Sequence, residues 1–273
     1  AFAVGSGVLG VALIGWMDDH HSLSAKVRLC VHVAMAAVCA VALLNQFGEG
    51  LGLSLWIVLP LSVVWLVGCT NAWNFMDGSN GLLTSQCVWL GLTLSWVFFH
   101  WIALPIPTAV PWMIVSFVLA MACLGFLPFN FPRASIFLGD VGSGALGILS
   151  GCLLLAAFLL EPTWWPFLLL LPSVLLVDSA MTLSYRVVTG RRWYTAHREH
   201  LYQWLIRSGR SHPQVVLIYM AWNIVVVMPG CLATRLFPAL APIIVFAVLT
   251  LSAFVWWHVK RAVWRGARRR GFS

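Results

Sequence analysis

Nine apolar runs, separated by short polar stretches, limit what this chain can fold into. They lie at roughly 1–17, 28–46, 53–71, 82–102, 110–128, 142–160, 164–184, 214–232 and 238–258. Each is about 17–21 residues long, enough for an α-helix to cross a hydrocarbon core. A helix satisfies its own backbone polar groups, which lipid does not. The expected fold class is all-α: a polytopic integral membrane protein of about nine transmembrane helices, forming a single domain over 1–273. Composition agrees, with 61% hydrophobic and 9% charged residues, which excludes an ordinary soluble domain. Sixteen Trp suit belts at the two interfaces. Seven Cys, with no CxxC and no Cys/His metal spacing, read as small buried hydrophobes. Pro60, Pro166 and Pro172 fall inside or near the start of spans, where kinks are tolerated. The first run begins at once, without a basic segment or a cleavage site, so a signal peptide is not expected and the N-terminus reads as missing.

Basic residues set the sidedness. One set of loops and the C-terminal tail carry Lys26, Arg28, Arg133, Arg186, Arg191, Arg192, Arg198, Arg207, Arg210, Lys260, Arg261, Arg265, Arg268, Arg269 and Arg270. The opposite loops carry Arg235 alone. The first set is expected to be cytoplasmic, and the tail also suits anionic membrane lipids.

The acids are rarer still. Only eight Asp or Glu occur. Glu49 and Glu161 sit in short external turns, while Asp18, Asp19, Asp77 and Asp140 fall at the cytoplasmic ends of spans. His197, Glu199 and His200 lie in the cytoplasmic loop after the seventh span. Acids suit any membrane surface, but that leaves their avoidance of the external loops unexplained. Carboxylates so near lipid are costly unless paired or metal-bound. Four acids among many bases point to a divalent cation and anionic substrates. Mg²⁺ fits best, because it uses one or two carboxylates and completes its shell with water and phosphate; Mn²⁺ is the substitute. His32, His100, His212 and His258 read as isolated structural or interfacial residues.

Individual motifs sharpen this. In "GWMDDHHSLSAKVRL", Asp18 and Asp19 point about 100° apart on a helix end, and Lys26 and Arg28 serve either phosphate or topology. In "NAWNFMDGSNGL" (71–82), Asn71, Asn74 and Asp77 interrupt two lipid-compatible runs. In "LPFNFPRASIFLGDVGSGALG", Asn130 and Arg133 precede Asp140, which serves as an N-cap or beside a phosphate-binding helix start. In "RRWYTAHREHLYQWLIR", Arg191, Arg192 and Arg198 are phosphate candidates, and His197 and His200 share a face if that stretch is helical. Asp178, inside the seventh span, is expected to organise the basic loop with Arg186, two turns on.

Four of these motifs in order, "DD" (18–19), "NAWNFMDGSNGL" (71–82), "FNFPRASIFLGDVGS" (129–143) and "HREHL" (197–201), resemble the polyprenyl-phosphate N-acetylhexosamine-1-phosphate transferases, the glycosyltransferase group 4 family that includes WecA, TagO and MraY enzymes. The resemblance implies transfer of a sugar 1-phosphate from a UDP-N-acetylhexosamine to undecaprenyl phosphate, with release of UMP, on the cytoplasmic face of a bacterial inner membrane. It implies Mg²⁺ held by Asp140 and Asp77, and Asp18 and Asp19 beside the reacting phosphates. Asn71, Asn74 and Asp77 would line the nucleotide-sugar pocket. Lys26, Asn130, Arg133, Arg191, Arg192, His197 and Arg198 would contact substrate. His200 would touch phosphate or order its loop. Nucleic acid is not an expected partner; a homodimer is an open expectation.

The chain departs from the family pattern at three places. Asn80 stands where a second Asp is usual, His21 and Ser22 follow the acid pair, and Tyr202 and Gln203 follow His200. The "AHREHLYQ" form is similar to the WbpL-like subgroup that starts O-antigen chains. The family also carries about two further N-terminal spans. The rival readings are a membrane transporter, whose sites lie nearer the midplane, and a lipid-phosphate hydrolase.

Overall fold

A computed structural model describes residues 2–48, 52, 54–103, 107–192, 195 and 197–269. Within these, twelve α-helices follow one another: α1 (Phe2–His21), α2 (Ala25–Phe47), α3 (Leu55–Phe75), α4 (Leu82–Ala103), α5 (Val110–Asn130), α6 (Gly139–Leu160), α7 (Trp165–Leu170), α8 (Ser173–Val188), α9 (Leu201–Arg207), α10 (His212–Trp222), α11 (Met228–Leu236) and α12 (Ala241–Arg269). Among the described residues there is no strand. Eight helical runs are long and apolar enough to cross a membrane, counting His212–Leu236 as one. The α7–α8 pair, bent by 68°, makes a ninth. By length and composition, the nine apolar segments correspond to eight candidate spans and this bent pair among the described residues.

Three details differ from the sequence reading. The seventh span is not straight: it breaks at Leu171–Pro172, where Pro172 has no amide hydrogen to donate. The first span continues to His21, which puts Asp18 and Asp19 in the last turn of α1. The last helix continues well past 258, to Arg269. Glu49 and Arg270, and the side chains of Arg268 and Arg269, lie outside the described residues.

The core is centred on α6, which is buried along most of its length and packs on α1, α2 and α3. Small residues permit this closeness. A Cβ at Gly147 would fall 2.7 Å from Thr70 Cα on α3. A Cβ at Gly15 on α1 would fall 2.5 Å from the Asp140 carbonyl oxygen and 2.7 Å from Val141 N. Close approach of this kind is how helices associate in lipid, where burial of apolar surface gives little driving force. The Gly15 contact also decides where the chemistry sits, because it brings the acidic end of α1 onto the start of α6. Large apolar side chains such as Trp56, Val64 and Phe246 face outward, as a lipid-facing surface requires. Six of the seven Cys are buried, and Cys30 is exposed.

Candidate active site

Three helix ends meet around Asp140. Asp140 sits in the first turn of α6. Its Oδ1 accepts from Asn74 Nδ2 at the end of α3, over 2.8 Å. Its Oδ2 accepts from Arg28 Nη1 at the start of α2, over 3.2 Å. The same Nη1 donates to Asp18 Oδ2 at 2.5 Å. Asp18 Oδ1 accepts from Leu23 N at 2.6 Å, which ties the α1–α2 turn to the acid. Asp19 Oδ1 accepts the Asp140 amide at 3.3 Å. Asn74 Nδ2 also reaches Ser143 Oγ, 3.0 Å away. Acids separated by more than a hundred residues thus share one cluster.

Asp77 lies just beyond the end of α3. Among the described residues no donor meets its carboxylate. Burial, then the negative charges of Asp140 and Asp19, push its pKa up to about 7. An acid so placed is relieved by a cation. The nearby donors are carboxylate and amide oxygens, the kind a hard divalent ion prefers. No three potential ligands already converge on one point among the described residues. Mg²⁺ does not require that, since water and substrate phosphate fill its shell. The chemistry of these residues fits such an ion, for which Asp77 and Asp140 would be the protein donors.

The last loop docks on the same place. Arg186 Nη1 pairs with Glu199 Oε1 at 2.5 Å, and Arg191 Nη1 with Glu199 Oε2 at 2.8 Å. Arg186 Nη2 donates to the Arg192 carbonyl at 2.6 Å. Asp178 does not pair with Arg186, as the sequence suggested. Its carboxylate accepts from Leu201 N (2.8 Å), Trp256 Nε1 (2.8 Å), Tyr219 Oη (2.7 Å) and Thr182 Oγ1 (3.3 Å). It still organises the loop, but by holding the start of α9. His197 and His200 do not share a helical face, because α9 begins only at Leu201.

Several expected substrate contacts are placed otherwise. His200 is 1% exposed, stacks on Phe75 with ring centroids 5.6 Å apart, and has Nδ1 3.8 Å from Asp178 Oδ1. This burial and stacking suit the loop-ordering role. Asn130 is also buried: its Oδ1 accepts from Gly81 N at 2.7 Å and its Nδ2 donates to the Ile136 carbonyl at 3.0 Å. Both ends of its amide bond backbone groups, so it clamps two loops together. Asn71 donates to Val67 O of its own helix at 2.8 Å. Lys26 is exposed, and Arg28 is the base that reaches the acids. Arg133, Arg191, Arg192 and Arg198 are exposed, free at their tips to meet an anion or, for Arg191, shared with Glu199. His197 is half-buried, and burial, with His200 and Arg186 nearby, pushes its pKa down to about 4, so it is uncharged at neutral pH.

His212, read from sequence as isolated, is part of the site's frame. Its Nδ1 lies 3.1 Å from both Asn80 N and Ser79 Oγ. Its only sequence signal was a polar residue at the start of a span on the acid-bearing face. Asn80 itself makes one long contact, from Nδ2 to the Pro132 carbonyl at 3.4 Å.

Residues 1–158 match the family model described as glycosyl transferase family 4. The chain is 30% identical over 230 residues to a probable undecaprenyl-phosphate N-acetylglucosaminyl 1-phosphate transferase of Bacillus subtilis, covering 79% of this chain and 61% of that protein. It is 32% identical over 247 residues to the decaprenyl-phosphate N-acetylglucosaminephosphotransferase of Mycobacterium tuberculosis, covering 80% of this chain and 59% of that one. A phospho-N-acetylmuramoyl-pentapeptide-transferase of Moorella thermoacetica is 31% identical over 244 residues, covering 81% and 72%. The chain thus spans about three-fifths of the first two relatives. With more than half of its residues in the family match, and the four polar motifs folded into one cluster, the chain belongs to glycosyl transferase family 4.

Proposed function

We propose that the protein transfers a sugar 1-phosphate of the N-acetylhexosamine type from a UDP-sugar to a polyprenyl phosphate. The observation that carries the proposal is the meeting of Asn74, Asp19 and Arg28, which also holds Asp18, around Asp140, beside the unpartnered Asp77. The names of the relatives support the reaction class. Undecaprenyl phosphate as acceptor, a cytoplasmic site in the bacterial inner membrane and a role in starting O-antigen or other envelope polysaccharide belong to the same proposal.

An oxygen of the lipid phosphate forms a bond to the β-phosphorus of the UDP-sugar. The bond from that phosphorus to the bridging oxygen breaks, and UMP leaves with the α-phosphate. Two anions must approach, so positioning and charge neutralisation account for most of the catalysis. Mg²⁺ at Asp77 and Asp140, when bound, supplies positive charge to the phosphate oxygens. Asn74 orients Asp140. Arg28 holds Asp18 and Asp140 together and offers its remaining N–H groups to phosphate. Asp18 accepts two hydrogen bonds already, which suits a geometric role. No base is required, since a phosphate monoester has a second pKa near 6 and is mostly ionised at neutral pH.

The test is an assay of membranes carrying the full-length protein with Mg²⁺, undecaprenyl phosphate and a panel of sugar-labelled UDP-N-acetylhexosamines. Butanol-extractable label with one preferred sugar supports the reading. Sugar or lipid flux without chemistry supports a transporter and overturns it.

A further inference from the structure

The turn that carries Asp77 is gripped by side chains that the reaction scheme leaves unused. Tyr202 on α9 donates its hydroxyl to the Phe75 carbonyl over 2.9 Å. Its ring lies against Gly78, where an added Cβ would collide with the hydroxyl. Gln203 Nε2 donates to the same hydroxyl at 3.1 Å, so that oxygen both gives and receives. Burial, then the charge of Asp178, push the Tyr202 pKa up, which keeps the phenol protonated as a donor. From the other side, His212 Nδ1 takes the Asn80 amide at 3.1 Å, which requires the proton of the neutral ring to sit on Nε2. Asn130 takes the Gly81 amide. The backbone is therefore fixed before and after Asp77, whose own carboxylate meets no donor among the described residues. Tyr202 and His212 belong to one arm. It begins at Leu201, whose amide is bonded to Asp178, and runs through α9 into α10.

We propose that Tyr202 and His212 are positioning residues: by gripping the turn 75–81 from the α9–α10 arm, they set where the Asp77 carboxylate stands and how tightly a divalent cation is held. The inference rests on Asp77 being a cation ligand, as argued above. Groups that orient a ligand from behind are typically worth about 10–100-fold in metal affinity. A merely structural role predicts something else, a loss of metal-free stability that carries affinity down with it.

The experiment measures Mn²⁺ binding to the detergent-solubilised full-length protein, from loss of the free-ion paramagnetic resonance signal, together with metal-free melting. The variants are Tyr202→Phe, His212→Ala, His212→Asn and Asp77→Asn. Tyr202→Phe and His212→Ala are each expected to weaken Mn²⁺ about tenfold. Their metal-free melting is expected to stay within about 2 °C of wild type. His212→Asn, whose amide oxygen can accept the Asn80 N–H, is expected to recover most of the loss. Unchanged affinity in Tyr202→Phe and His212→Ala, with affinity lost in Asp77→Asn, overturns this inference and leaves the proposed function standing. Unchanged affinity in Asp77→Asn overturns both. Affinity that falls with metal-free melting and is not recovered by His212→Asn assigns a structural role and also overturns it.

Discussion

Asn74 Nδ2 donates to Asp140 Oδ1 over 2.8 Å, joining the last turn of α3 to the first turn of α6. This bond links two motifs 66 residues apart and holds Asp140 Oδ1 through a neutral donor, while the charged Arg28 takes Oδ2. Asn74→Ala is expected to lower transfer about 10–100-fold, with little change in melting because the site is only partly buried. Initial rates at saturating UDP-sugar, with a parallel melt, check this. A rate within twofold of wild type would show that Asp140 does not need this bond.

Arg28 stands between two carboxylates, 2.5 Å from Asp18 and 3.2 Å from Asp140. One nitrogen, Nη1, reaches both acids; a lysine carries the charge but lacks the further N–H groups of the guanidinium that would meet phosphate. Transfer is expected to fall in Arg28→Lys and further in Arg28→Ala, whereas Lys26→Ala, at an exposed position, should stay close to wild type. Equal losses at 26 and 28 would contradict the geometry.

Asp77 gives a pH signature. Its folded pKa, up to about 7, lies above the ordinary carboxylate value of the unfolded chain. Between about pH 4 and 7 the folded state binds more protons, so metal-free stability falls as pH rises through that window. A cation that binds the carboxylate reverses the fall. Melting curves at pH 5 and 8, with and without Mg²⁺, should show Mg²⁺ raising the melting temperature at pH 8 and much less at pH 5. In Asp77→Asn the difference between the two pH values should shrink.

Asn80 is the departure from the family pattern, and its one side-chain contact is long. Asn80→Asp is expected to be tolerated in transfer assays, whereas Asp77→Asn abolishes transfer. A dead Asn80→Asp would show that a neutral group is needed there.

Asp178 accepts four hydrogen bonds in the core of the α8–α9–α12 region. Asp178→Ala leaves buried donors unpaired, at about 1–3 kcal/mol for each one stranded. The variant is expected to melt well below wild type and to lose activity through disorder of the last loop. A wild-type melt would deny it that role.

Much of this was legible before any coordinates. Runs of apolar residues report helices directly, because lipid admits little else, and the nine runs correspond to eight candidate spans and one bent pair among the described residues. The acids were equally readable, since a carboxylate near lipid needs a reason. What the sequence hid was partnership across distance. Nothing local distinguishes Arg28 from Lys26, yet only Arg28 sits where the Gly15 contact brings α1 onto Asp140. Asn130 looks like a ligand in a polar loop, but it is turned inward to the Gly81 amide. His212 carries no motif that ties it to Asn80, 132 residues earlier. Asp178 invited pairing with Arg186 on its own helix, but Leu201 N, Tyr219 and Trp256 occupy its carboxylate and Glu199 pairs with the arginine. The break at Pro172 was readable as a kink but not as a 68° bend, which depends on packing around it.

The most direct test of the account follows the β-phosphorus. The full-length protein, Mg²⁺, undecaprenyl phosphate and a UDP-N-acetylhexosamine labelled with radioactive phosphorus at the β position are incubated, and the products are separated. The account predicts label in the butanol-soluble lipid, with unlabelled UMP in equal amount and no such product from Asp77→Asn. Label in UDP or in free phosphate, with none in the lipid, would contradict it.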